Sequence, residues 1–114
     1  MAKQYRSKSW DIKQRIRPMG ACIATDTITV DGLKVGYMDR YPTDRDNDSG
    51  WCFMSGTETQ EYMDDAGNMG IYDVNTIANY DPAIMPYINS PYGTSWKRIE
   101  GTDEFKEIEQ PDLY

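Results

Sequence analysis

The acids and rings between Asp46 and Asp65 are where this 114-residue chain could do chemistry. Asp44, Asp46 and Asp48 alternate like the first three ligands of a calcium-binding loop. Counted from Asp44, however, the glycine falls at the seventh position rather than the sixth, and the twelfth is Ser55, which has no bidentate carboxylate to offer. No helical pattern leads into the segment, so it reads as a solvated loop, and no metal is expected. Histidine is absent, which removes the usual general base near neutral pH. A serine or cysteine nucleophile would need another activator. Two carboxylate pairs remain, Glu58 with Glu61 and Asp64 with Asp65, but acids on an exposed helix face are ordinarily solvated. The GTETQ turn lacks the lysine and spacing of a phosphate-binding loop. No catalytic residue and no cofactor is therefore expected.

The same residues suit recognition better. Trp51, Phe53, Tyr62 and Tyr72 are interleaved with acids, and rings amid acids attract Lys- or Arg-bearing partners. For Trp51 and Phe53, burial in the core is the stronger reading. The candidate partner-binding residues are Asp46, Asp48, Glu58, Glu61, Tyr62, Asp64 and Asp65, with Tyr62 as the aromatic anchor and the acids supplying charge.

Several elements must position them. ACIAT (21–25) is a short apolar run, the pattern of a buried strand. Asp31-Gly32 between TITV and LKVGYMDRY is a strong hairpin signal; it would place Leu33, Val35 and Tyr37 on one face and Lys34, Gly36 and Met38 on the other. SGWCFMSG is a strand with Trp51 and Phe53 on one face and Cys52 and Met54 on the other. Thr57 with Gln60 fits a capping box and predicts a helix over 57–66, with Glu58 and Glu61 in its first turn. MGIYD is another strand. Asp73 caps a helix over 73–80, and Asp81-Pro82 starts a second over 82–88. TSWKRI is the last strand expected, with Trp96 buried. The fold class is α+β: a twisted, mainly antiparallel sheet of four to six strands, with the short helices on one face.

Charge is divided along the chain. Residues 1–20 hold six bases and one acid, and residues 21–114 six bases and eighteen acids, for a net charge of −7. The organisation expected is a basic N-terminal arm (1–19), a single α+β domain (20–99) and a frayed acidic tail (100–114). Ile12 and Ile16 leave the arm two readings, a short docked helix or a mobile segment; its charge favours lying on the acidic body. An acidic body disfavours nucleic acid and favours basic partners. No apolar run approaches membrane length, and no apolar stretch follows the basic start as a secretory signal requires. A cytoplasmic protein is expected, with Cys22 and Cys52 as free buried thiols; a disulfide between them would require neighbouring strands.

The words SGWCFMSGTETQEYMDD and GIYDVNTIANYDPAIMPYINSPYGTSWKR, with ACIATDTITVDGLKVGYMDR upstream, resemble a bacterial domain-of-unknown-function family. It is grouped with the immunity proteins of polymorphic toxin systems, in the class numbered thirty-three. The likeness spans about residues 20–98. It implies a non-enzymatic protein that binds and neutralises a cognate toxin, a basic one by charge; it carries over no catalytic residue. Two other readings stay open. One is a small-ligand or regulatory module with a pocket between the Trp51 strand and the Asp73–Ile88 segment. The other is a weak carboxylate enzyme that depends on Glu61.

Overall fold

A computed structural model of the chain describes residues 3–5 and 12–110. Among these described residues, six strands form one sheet in the order β4-β1-β3-β2-β5-β6. They are β1 (Ala21–Thr25), β2 (Tyr37–Arg40), β3 (Asp48–Met54), β4 (Met69–Asp73), β5 (Ser95–Arg98) and β6 (Phe105–Ile108). Only β1 and β3 run parallel; every other neighbouring pair is antiparallel. The α+β class and the mainly antiparallel sheet are as the sequence predicts.

The central strand β3 reads in the structure as it does in the sequence. Trp51 and Phe53 are fully buried, and their rings stack 5.7 Å apart. They meet Ile28, Val35, Met38, Val74, Ile77, Ile84 and Ile88, all buried on the same side. Helix α3 (Val74–Tyr80) lies over this face, started by Asp73, whose carboxylate accepts from the Asn75 amide. Asp81 caps the 3-10 turn Pro82–Ile84, and the Trp51 indole donates to the Ile88 carbonyl at 2.9 Å. The space between the Trp51 strand and the Asp73–Ile88 segment is thus filled by core and is not a pocket.

The expected hairpin does not form. Residues 26–29 are a single helical turn, α1 (Asp26–Thr29), with Thr27, Ile28 and Thr29 buried. The β-branched run favours a strand locally, but burying Ile28 under α3 outweighs that preference. Gly32, at φ +79°, ends the turn: its amide bonds to Ile28 O and that of Leu33 to Thr27 O. A left-handed glycine serves a hairpin or a helix C-terminus equally well, which is why the dipeptide misleads. Leu33 is consequently exposed rather than paired, while Val35 is buried and donates its amide to Asp81 Oδ2 at 2.9 Å.

Trp96 is half-buried, against the Tyr87 ring. TSWKRI is not the last strand: residues 105–108, which the sequence suggests are frayed tail, are β6, paired with β5 and anchored by buried Phe105. One aromatic in an acidic stretch makes a weak strand signal, and only the neighbouring edge of β5 supplies its partner. Of the arm, residues 6–11 lie outside the described residues. Residues 12–20 contain no helix and run along α3, where Lys13 and Arg15 donate backbone amides to Asn79 and Asn75. Lys3 pairs with Asp26 at 2.8 Å. Cys22 and Cys52 are both free; their strands are neighbours, but Cys22 faces the core and Cys52 the other side of the sheet.

Candidate functional site: a groove on the open face of the sheet

Helix α3 covers one face of the sheet, while the other stays partly open. Alternation along the strands puts Ile23, Cys52, Met54 and Asp39 on that second face, with Asp39 directly opposite Cys52 and Ile23 beside it in register. Helix α2 (Gln60–Asp64) borders this face and not the core side. Between them runs a groove of about 680 Å³, floored by Ile23, Cys52 and Met54 and walled by Met63 and Met69. Three carboxylates, Asp39, Asp48 and Asp64, also line it, and among the described lining residues there is no lysine or arginine.

Glu58 decides where α2 stands. Its Oε2 accepts from the hydroxyls of Thr25 (2.6 Å) and Thr27 (2.8 Å) and from the Ser55 amide (2.9 Å), while Oε1 accepts from the Gly56 amide (2.9 Å). Burial alone would raise this carboxyl, but the donors outweigh it and hold it down at about 2. The loop after β3 is thereby tied to the end of β1. Glu58 cannot also sit in a helix, so the expected Thr57–Gln60 box is displaced. Thr59 is the N-cap, accepting from the Tyr62 amide at 3.1 Å, and α2 begins at Gln60. Thr57 pairs instead with the Ser55 hydroxyl.

The other sequence-predicted residues separate into distinct places. Asp48 and Asp64 line the groove; Asp48 also accepts from the Gly50 amide, and Asp64 from the Gln60 side chain. Glu61, Tyr62 and Asp65 sit together on the outer side of α2, where Asp65 caps the next turn through the Gly67 amide. Tyr62 is half-buried, and burial, followed by the charges of Asp26, Asp31 and Glu58, lifts its phenol. Asp46 is exposed at a separate crevice near Gly20 and Ile71–Asp73. The seven therefore do not form one patch.

Asp39 is the residue that sequence reasoning missed. It is 5 % exposed. Burial raises its carboxyl, opposed by the hydroxyls of Ser95 and Tyr41. Nothing local in YMDR marks it: the register that sets it opposite Cys52 is what turns it into the groove. Burial, then the charges of Asp39 and Glu58, push the Cys52 thiol up to about 12, so it stays protonated and unreactive. Among the described residues no group of three acids or thiols is arranged to hold a metal ion. The groove presents soft apolar surface and negative charge, a binding chemistry.

A search of curated proteins and a search of solved structures each return no match. The family model described as the Immunity protein Imm33 domain matches residues 22–109, from β1 through β6. That span takes in every strand, α2 and the groove between them, and the chain therefore belongs to the Imm33 immunity protein family.

Proposed function

We propose that this protein is a non-enzymatic immunity factor that binds a cognate toxin in the cytoplasm and blocks it. The observation that carries the reading is the family match over residues 22–109. The net charge of −7 supports a basic toxin, because opposite fields speed encounter and select partners. The decisive experiment co-expresses the protein with a candidate toxin domain taken from a gene neighbouring its own. Restored growth and a stable complex on gel filtration are expected; toxicity undiminished by excess protein, with no complex, refutes it.

A groove of about 680 Å³ is also of a size that holds small ligands, which favours a ligand-binding module as the second reading. A thermal upshift with a member of a metabolite panel, absent for the toxin domain, would decide for it.

A further inference from the structure

We infer that the groove beside α2, and not the outer acidic rim, is where the partner docks, and that it receives an apolar-stemmed cationic side chain, Lys or Arg, projecting from the toxin. This rests on the immunity reading above. The first support is charge: Asp39, Asp48 and Asp64 line the groove, and no described lining residue is basic. The second is burial. Asp39 is 5 % exposed, yet among the described residues no lysine or arginine lies within ion-pair distance of it. The Ser95 and Tyr41 hydroxyls meet part of its hydrogen-bonding need but bring no charge; a buried carboxylate without a cation is costly, and an incoming ammonium or guanidinium would complete the pair.

The third support is the apolar surface around it. Ile71 is 77 % exposed and pairs across the strands with Ile23, itself 42 % exposed. The groove's apolar floor thus continues onto the open edge strand β4, which enlarges the apolar surface a docked partner would cover. Met54 in the floor and Met63 and Met69 in the walls add soft, adaptable surface suited to a long aliphatic stem. A lysine or arginine has such a stem behind its charge. The outer rim, by contrast, spends Asp65 on capping the turn after α2.

Two measurements test this. In an amide NMR titration, n-hexylammonium is expected to move the resonances of Ile23, Asp39, Cys52 and Met63, and hexanoate at equal concentration to leave them in place. Equal shifts from both, or none from hexylammonium, overturn the inference. In the second, affinity for the neighbouring toxin domain is measured for Asp39→Asn and Met63→Lys, the latter placing an ammonium in the groove from within. Losing one partner of a buried charge pair predicts a drop of about thirtyfold or more for Asp39→Asn. Met63→Lys should lose binding to a similar degree, while the rim pair E61Q/D65N, which keeps the Asp65 cap oxygen, changes it less than about threefold, as exposed charges do. Melting curves check that each variant folds, and Met63→Lys, at a half-buried position, serves if Asp39→Asn does not. A toxin that binds the parent and both groove variants equally overturns the docking site while leaving the immunity reading intact. A toxin that does not bind the parent overturns both.

Discussion

Replacing Glu58 by glutamine tests whether this acid holds the fold or meets a partner. The substitution keeps the shape and removes the charge. One oxygen can still accept from the Gly56 amide, but an NH2 group then faces the Ser55 amide and the Thr25 and Thr27 hydroxyls. The hydroxyls can turn; the amide cannot. Hydrogen bonds to a charged acceptor contribute roughly 1.5–3 kcal/mol each when lost outright. Partial exposure of the carboxylate and the retained bond reduce the sum, so a loss of about 2 kcal/mol is expected after discounting for solvent. For a domain this size that lowers Tm by roughly 10 °C. The pH dependence is the sharper test. The carboxyl is held at about 2 in the folded protein against its ordinary 4.5, so its contribution is complete above that ordinary value and fades as pH falls toward 2. The gap between parent and Glu58→Gln should therefore be widest at neutral pH and close on acidification. Paired urea titrations from neutral pH down to about pH 2.5, just above the folded value, measure it. A gap that is constant with pH refutes the charge argument. A variant that melts like the parent yet loses its partner would return Glu58 to the recognition surface.

Three further outcomes follow from the geometry. Asp81 joins Arg98, the Val35 amide and the Ala83 amide, so Asp81→Ala leaves the buried Val35 amide unmatched and the mostly buried guanidinium with the exposed Asp103 as its counter-charge, and should cost about 3 kcal/mol by urea unfolding; a cost under about 1 kcal/mol, the range of exposed pairs, would show the pair to be dispensable. Gly50 sits at φ +82°, and an added Cβ would lie 2.1 Å from the Tyr41 carbonyl oxygen. Gly50→Ala should therefore destabilise by about 2 kcal/mol or more, read as a fall in Tm. With Cys52 pushed up to about 12 and Cys22 raised further by burial, a disulfide-exchange reagent at about pH 8 should label the native protein on the order of a hundredfold more slowly than free cysteine. Both thiols should react in denaturant without reductant, and a count below two would contradict the free pair.

What local chemistry governs is legible in the sequence. Alternation places Trp51 and Phe53 on one face and Cys52 and Met54 on the other, because side-chain direction in a strand follows from the backbone alone. Asp73 and Asp81-Pro82 mark their caps, because a cap is satisfied within a few residues.

Tertiary structure decides the rest, wherever one residue type could serve two partners. Asp31-Gly32 reverses the chain in a hairpin or after a helix, and only the packing of Ile28 under α3 selects between them. Phe105 becomes a strand residue because β5 leaves an edge beside it. Glu58 is drawn out of its helix by Thr25 and Thr27, more than thirty residues away in sequence, and α2 is set beside the open face as a result. Asp39 looks like any acid in the chain. It becomes a buried charge on a groove only because β2 pairs antiparallel with β3 in the register that sets it opposite Cys52. Sequence carries the pattern of each element, but which side of the sheet is covered depends on contacts between residues far apart in the chain.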